Sequence, residues 1–183
     1  VSSANSTVPA VNRDGFHDLS ISSNGRYLAF TSSFFGLVSG DTNGVGDVFV
    51  RDLVANTTTR VSVATGGTQA NNTSFDTSIS SDGRYVAFSS DASNLVSGDT
   101  NNAGDVFVRD TQSGTTTRVS VATDGTQAIG GGSEASISSD GRYIVFASSA
   151  ANLVSGDTNN TRDVFVRDTQ SGTTTRVSVA ADG

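Results

Sequence analysis

The chain has 183 residues and a formal net charge of -7, with no cysteine and no lysine. The absence of cysteine excludes disulfide bonds, thiolate metal sites and a cysteine nucleophile. The acidic balance argues against nucleic acids and anionic membrane surfaces as partners, because both require a basic stripe that this chain lacks. Turn-forming residues are abundant, yet Val, Ile and Phe recur in periodic runs, which is typical of a β protein.

A repeat of 58 residues organises the sequence. Residues 1–15 are its least repetitive part and are predicted to form an N-terminal segment. Ile21, Ile79 and Ile137 then mark equivalent positions in three successive copies. Self-similarity at a fixed period is the signature of a repeat architecture. The sequence therefore predicts a single repeat domain with three units, at residues 16–63, 75–121 and 133–179.

Two strands joined by a tight turn open each unit. In the second unit, apolar and polar residues alternate over residues 75–80, which predicts a strand with one buried face. Asp82-Gly83 predicts a hairpin turn, because these residues tolerate the positive φ that tight turns require. Residues 85–90 begin with four consecutive apolar side chains, which predicts a second strand that is covered on both faces.

Two more strands follow a long polar loop. The loop, residues 91–104, contains a small apolar anchor at Leu95-Val96. Residues 105–109 predict a third strand, again with apolar side chains on both faces. Residues 115–121 predict a fourth strand, which is rich in Thr and Val, polar on one side and suited to an outer edge.

Each unit is thus predicted to be a four-stranded antiparallel meander. Its inner strands are apolar on both faces, so such a sheet must lie between copies of itself. This requirement favours an all-β fold of β-propeller blades packed face to face. A β-helix is the main alternative, but its rungs are usually about 20–30 residues long and lack tight Asp-Gly hairpins.

The repeated segments resemble a known family. The segment ISSDGRYVAF at residues 79–88, followed by DVFVRD at residues 105–110, is similar to the TolB-type, WD-like propeller repeat of bacteria. The resemblance covers nearly the whole chain in three copies. It implies a β-propeller fold, and it implies the roles of such propellers, which are partner-docking platforms and accessory domains of peptidases.

Three blades are too few to close a propeller, which typically has four to eight. Two interpretations remain open. Either the chain is part of a longer protein, or identical chains associate, in which case two copies would form a six-bladed ring. An isolated open set of three blades would leave two apolar faces in water, which favours aggregation. The sequence therefore predicts a protein partner or self-association.

The polar loop before the third strand contains the most suggestive chemical pattern. It reads GDTNGVGD, GDTNNAGD and GDTNNTRD in the three copies. Hard cations such as calcium prefer several oxygen ligands, and an Asp-x-Asn loop can surround one. The alternative is that these side chains form Asx-turns and cap strands without a metal. The candidate calcium ligands are Asp41, Asn43, Asp47, Asp99, Asn101, Asp105, Asp157, Asn159 and Asp163.

Several single residues carry weaker predictions. Arg26, Arg84 and Arg142 follow the hairpin glycine, and each would either bind an acidic ligand or pair with a nearby aspartate. Phe34-Phe35 interrupts the repeat and predicts either a contact patch or a filled gap. His17 is the sole histidine and has few partners for triad chemistry, so it is predicted to be a surface loop residue.

These observations favour a non-catalytic bacterial propeller, secreted or at the cell surface, which acts as a structural or protein-interaction scaffold with calcium-stabilised loops. The alternative is a lectin-like module that binds a carbohydrate or a peptide at one equivalent site in each blade. An enzyme is disfavoured, because catalysis requires several different groups at one point and three copies of one sequence do not supply them.

Overall fold

The computed structural model describes residues 16–159 and 161–180, and the predicted N-terminal segment, residues 1–15, lies outside them. The described residues form twelve strands and no helix, in three four-stranded sheets that we call blades 1, 2 and 3. Blade 1 contains β1 (Phe16–Ile21), β2 (Tyr27–Ser32), β3 (Asp47–Asp52) and β4 (Thr57–Arg60). Blade 2 contains β5 (Ser74–Ile79), β6 (Tyr85–Ser90), β7 (Asp105–Asp110) and β8 (Thr115–Arg118). Blade 3 contains β9 (Ser133–Ile137), β10 (Tyr143–Ser148), β11 (Asp163–Asp168) and β12 (Thr173–Arg176).

The prediction of three antiparallel meanders is confirmed, because neighbouring strands pair in chain order within every blade. The fourth strand is shorter than predicted, however, since β8 ends at Arg118 and not at residue 121. The Ser120 hydroxyl explains the difference. It accepts a hydrogen bond from the Val106 amide at 3.1 Å and donates one to the Asp105 carboxylate at 2.5 Å. The Ser120 hydroxyl thus takes the place of a main-chain acceptor for the Val106 amide of the third strand.

The hydrophobic core lies between blades rather than inside one. At the joint between blades 1 and 2, Val48 packs in one cluster with Phe88. At the joint between blades 2 and 3, Val106 packs in a second cluster with Phe146. Within a blade, a phenylalanine of the second strand stacks on one of the third, as Phe88 does on Phe107 with ring centroids 5.8 Å apart. This arrangement covers the inner strands on both faces, as their apolar runs predict.

The first strand of each blade is the innermost, because β1, β5 and β9 adjoin one another across the two joints. In β1, β5 and β9 the pairing with the second strand of the blade shifts in the middle, which marks a β-bulge. Asp18, Asp76 and Glu134 occupy equivalent places in these strands and have φ values of 51°, 52° and 59°. An acidic residue in the left-handed region therefore recurs along the inner edge of the three blades.

His17 is exposed, as expected, but its predicted position in a loop is wrong. It lies in β1 and pairs with Thr31 of β2. The bulge accounts for the difference, because it lets the strand continue past an irregular stretch that breaks the alternation of apolar and polar residues.

Candidate functional site

The loop before the third strand brings two of the predicted ligands together around an arginine. In blade 1, Arg60 Nη1 lies 3.1 Å from Asp41 Oδ1 and 3.3 Å from Asp47 Oδ2. All three side chains are largely buried. Arg60 is the last residue of β4, so the fourth strand supplies a cation to the two carboxylates of the loop.

Blade 2 repeats this arrangement. Arg118 Nη1 lies 3.4 Å from Asp99 Oδ1 and 3.4 Å from Asp105 Oδ2. Gln127, which follows the fourth strand, donates an additional hydrogen bond from Nε2 to Asp99 Oδ1 at 3.0 Å. The second carboxylate oxygen of Asp99 is buried and accepts no hydrogen bond. The guanidinium and one amide thus neutralise and solvate this buried pair of carboxylates.

Blade 3 has the same group with one change beside it. Arg176 Nη1 lies 3.0 Å from Asp157 Oδ1 and 3.6 Å from Asp163 Oδ2. Arg162, which replaces a glycine of the first two copies, pairs with Glu134 at 3.1 Å on the surface. The positive charge that Arg162 adds to the third copy is therefore paired with an acidic side chain of the same blade. We call the three buried groups the Asp–Arg–Asp clusters.

The asparagine of each loop acts both as a donor and as a turn former. Asn43 Nδ2 donates to Asp47 Oδ2 at 2.9 Å, and Asn43 Oδ1 accepts a hydrogen bond from the Val45 amide at 3.3 Å. The second bond makes an Asx-turn. The same pair of bonds is made by Asn101 and by Asn159. All nine predicted ligands are thus engaged within their own loops and clusters.

Burial and hydrogen bonding act in opposite directions on these carboxyl groups. Burial raises the pKa of the Asp41 and Asp105 carboxyls above their usual range, although the neighbouring arginine acts to lower it. Hydrogen bonds from Ser178 and Asn159 instead hold the pKa of the Asp163 carboxyl below its usual range. The arginine of each cluster therefore favours the ionised carboxylate against the effect of burial.

These clusters fit a calcium ion poorly. Calcium takes six to eight oxygen ligands, whereas each cluster holds two carboxylates with a guanidinium beside both. Asn43 also directs an N–H group, not an oxygen, at Asp47. Among the described residues, no group of three or more His, Cys, Asp or Glu side chains is placed to hold a metal ion. The Asx-turn interpretation agrees with this geometry, and the calcium site stays a prediction.

The sequence analysis missed the arginines of the clusters, Arg60, Arg118 and Arg176. A signal for them exists, because the segment TTTR ends the fourth strand of every unit at the same 58-residue step. Their role depends on strand pairing, which sets Arg60 opposite Phe49 near the start of β3 and hence close to Asp47. When aspartates repeat in a sequence, a cationic residue that repeats at a strand end is therefore a candidate for their ion-pair partner.

A second set of ion pairs lies at the hairpin turns. Arg84 donates from Nε and Nη2 to the two carboxylate oxygens of Asp110, at 3.0 and 2.7 Å, and its guanidinium lies 4.7 Å from the centre of the Tyr85 ring. This bidentate pairing holds the pKa of the Asp110 carboxyl well below its usual range. The equivalent pairs are Arg26–Asp52 and Arg142–Asp168. Of the two interpretations of these arginines, pairing with aspartate is the one that the structure shows.

Blades 1 and 3 each leave one apolar face uncovered. Val164 of blade 3 is 38% exposed, whereas the equivalent Val106 of blade 2 is fully buried. Ile21 of blade 1 is 59% exposed, whereas the equivalent Ile79 is 7% exposed. The blade 1 end face contains Leu19, Ile21 and Gly25, and the blade 3 end face contains Tyr143, Val145, Val164, Val177 and Val179.

Two smaller features involve residues of blade 1. Phe35 is exposed, and its ring centre lies 5.7 Å from that of the half-buried Phe34. Of the two aromatics, only Phe34 fills space in the fold. An open groove of about 480 Å³ between blades 1 and 2 is lined by His17, Asp18 and Thr31, among others. It gives solvent access to the inner strands.

Solved structures with the same arrangement of strands are propellers. TolB from Acinetobacter baumannii is 20% identical, with 89% of this chain and 32% of that chain covered and a TM-score of 0.53. The putative TolB from Agrobacterium tumefaciens is 16% identical, with 88% and 47% covered and a TM-score of 0.54. The β-propeller domain of the Trilobed protease from Pyrococcus furiosus, which has an open velcro topology, is 12% identical, with 88% and 41% covered and a TM-score of 0.52.

The chain spans about a third to a half of the length of these structures. No protein-family model and no curated protein matches the sequence. At these identities the likeness establishes the fold, and it confirms the predicted resemblance to TolB-type propellers at that level. The chain is a run of three consecutive four-stranded blades with the β-propeller fold, and it resembles the propellers of the TolB structures.

Proposed function

We propose that this chain is a non-catalytic β-propeller scaffold that binds protein at its two end faces. The observation that carries the proposal is the contrast between equivalent residues of neighbouring blades. Val164 and Val177 are exposed on blade 3, whereas Val106 and Val119 are buried in blade 2 by the blade that follows. Apolar side chains that are buried at two joints and exposed at the ends are suited to contact with further protein.

The polar groups support a non-catalytic role. Two of the three arginines that are repeated in every blade bind aspartates, as in the pair Arg84–Asp110 and the cluster around Arg118, and the third, Arg109 in blade 2, donates to Thr116 and to the Ala64 carbonyl. Their arrangement is the same in each blade, so it provides three copies of one structural device rather than several different groups at one point.

Exchange of apolar for polar side chains on one end face tests the scaffold. We expect the natural protein to associate, with a solution mass above 18.6 kDa by light scattering. The triple variant Val145→Thr/Val164→Thr/Val177→Thr keeps β-branched side chains but removes apolar surface, so it should remain at the mass of one chain. A 183-residue chain that stays at 18.6 kDa up to its solubility limit would contradict association through the end faces.

Chelation tests the calcium prediction. Because Arg60, Arg118 and Arg176 already neutralise the carboxylates, we expect added calcium and subsequent EDTA to leave the melting temperature unchanged. Magnesium serves as the control for a general effect of divalent ions. A melting temperature that rises by several degrees with calcium alone, and falls again with EDTA, would establish a calcium site in which the ion displaces the guanidinium.

The cellular location and the lectin-like alternative stay proposals. No helix of the described chain is long and apolar enough to cross a membrane. A secreted or cell-surface location is supported by the resemblance to bacterial TolB-type repeats. A glycan array would test the lectin-like alternative, and binding to no glycan would leave the scaffold as the proposed function.

A further inference from the structure

The blade 3 end face and the blade 1 end face carry the residues that form the two sides of each inner joint. At the first joint, the Tyr27 ring covers Gly83 so closely that a Cβ on that glycine would lie 2.1 Å from Tyr27 Cδ2. At the second joint, Tyr85 covers Gly141 in the same way, at 2.2 Å. The equivalent residues at the ends lack such a partner within the described chain. Tyr143 is 39% exposed, and a Cβ on Gly25 would meet no atom within 4 Å.

Hydrogen bonds along the inner strands show the same relation between successive blades. Asp18 accepts a bond from the Asp76 amide at 3.1 Å, and Asp76 accepts one from the Glu134 amide at 2.9 Å. The Ser20 hydroxyl accepts a bond from the Ile79 amide at 3.1 Å, and Ser78 repeats this toward Ile137. In these four bonds the acceptor lies on the earlier blade and the amide on the later one. The blade 3 counterparts of the acceptors are Glu134 and Ser136, and the blade 1 counterparts of the amides are those of Asp18 and Ile21.

The outer strands complete the joint. Thr116 donates to the Val63 carbonyl at 2.5 Å, and Arg109 donates to the Ala64 carbonyl at 3.2 Å. The same two bonds link blade 3 to blade 2. On blade 1, Arg51 corresponds to Arg109, and its guanidinium donates only to Thr58 and Asn56 of its own blade among the bonds of the described residues. The match of the ends is incomplete, because Ala181 stands where the earlier copies have threonine, and Gly36 stands where Asn94 and Asn152 donate to the carbonyls of Gln69 and Gln127.

We propose that two copies of this chain associate head to tail into a six-bladed ring, in which Tyr143 of each copy packs on Gly25 of the other. This inference rests on the proposed function, since it names the protein that covers the end faces. Two copies of the three described blades make six, and propellers close with about four to eight blades. A two-fold axis along the centre of the ring then exchanges two identical joints.

A blade of this repeat is the occupant that the surfaces specify, and a second copy of the chain supplies one at each end. The blade 1 end face presents an open position above Gly25, and the blade 3 end face presents an aromatic ring of the size that fills this position at both inner joints. Within one set of three blades, which is an open half ring, the blade 1 end face and the blade 3 end face do not contact each other. Each copy therefore supplies what the other lacks, and both faces are covered at once.

Solution mass with matched variants tests the ring. We expect light scattering after gel filtration to give twice 18.6 kDa for the natural protein. Tyr143→Ala removes the ring and Gly25→Leu fills the position that receives it, and each should raise the dissociation constant by about thirtyfold per joint. Gly98→Leu is the control. Gly98 has a φ of +76°, which is close to the +68° of Gly25, and no atom lies within 4 Å of its Cβ position. It differs from Gly25 because it lies in the middle blade and not on an end face.

The outcomes separate this inference from the proposed scaffold. A dimer that is weakened by Tyr143→Ala and Gly25→Leu but not by Gly98→Leu supports the ring. A dimer that neither end variant weakens, or a mass that keeps growing with concentration, overturns the ring and leaves a scaffold that binds through its end faces. A 183-residue chain that remains at the mass of one copy overturns the ring and the expected association through the end faces.

Discussion

Replacement of Arg118 by methionine is expected to lower the free energy of unfolding by about 3–5 kcal/mol at neutral pH. Arg118 lies 3.4 Å from both Asp99 and Asp105, and these carboxylates are almost completely buried. Methionine fills a similar volume but leaves two like charges without a cation. The loss is measured as the shift of the urea unfolding midpoint at unchanged slope.

The pH dependence of this loss identifies its cause. Burial raises the pKa of the Asp105 carboxyl and Arg118 lowers it, so the variant has a still higher pKa at Asp105. A carboxyl whose folded pKa exceeds its unfolded value of about 3.9 binds more protons when folded. Its contribution to stability is therefore present at low pH and lost as the pH rises through the folded pKa. The deficit of Arg118→Met relative to the natural protein should accordingly shrink as the pH falls from 7 toward 4.

Arg162→Met is the matched control for this experiment. Arg162 pairs with Glu134 at 3.1 Å, but both side chains are about half exposed or more. An exposed pair contributes about 0–1 kcal/mol, so the control should be nearly as stable as the natural protein at every pH. Equal losses for Arg118→Met and Arg162→Met, or a deficit that does not change with pH, would contradict a structural role for the buried cluster.

Substitution of Gly83 by alanine is expected to cost about 2–5 kcal/mol by disturbing the joint between blades 1 and 2. Two effects add. Gly83 has a φ of +78°, where an L-residue costs about 1–2 kcal/mol. The new Cβ would also lie 2.1 Å from the Tyr27 ring, and overpacking of this kind costs about 1–3 kcal/mol. Denaturant unfolding measures the sum.

Gly98→Ala separates the two effects, because Gly98 has a φ of +76° and no atom within 4 Å of its Cβ position. It should show the backbone cost alone. The double variant Tyr27→Ala/Gly83→Ala relieves the clash, so a double-mutant cycle should give a coupling of about 1–3 kcal/mol. If Gly83→Ala and Gly98→Ala are equally destabilising, the tyrosine does not hold the blades together in the way described.

The repeat made most of the fold predictable. Alternation of apolar and polar residues indicates a strand with one buried face, and a continuous apolar run indicates a strand with two buried faces. The double-sided burial of residues such as Phe107 follows directly from the run Val106-Phe107-Val108. The early end of β8 was not predictable in this way. It depends on the Ser120 side chain, which bonds to Val106 and Asp105 in place of the main chain, and a pattern of Thr and Val contains no sign of that.

The candidate site was predictable in its residues but not in its chemistry. The repeated aspartates and asparagines indicate the same polar arrangement in every unit, and from sequence alone both calcium and Asx-turns account for the pattern. The distinction depends on Arg118, which is 13 residues beyond Asp105 and reaches it only because β7 and β8 are paired. Long-range partners of this kind follow from topology, and local sequence does not reveal them.

Because the hydrophobic core lies between blades, one copy of the sequence repeat is not a structural unit with its own core. Residues 122–132 separate two copies and resemble a natural boundary, yet a cut there would expose Val106 on one fragment and Phe146 on the other. Each copy of the sequence repeat lacks a complete interior when taken alone. The smallest segment that contains a complete interior is a pair of adjacent blades, so truncation or grafting should keep joints intact rather than repeats.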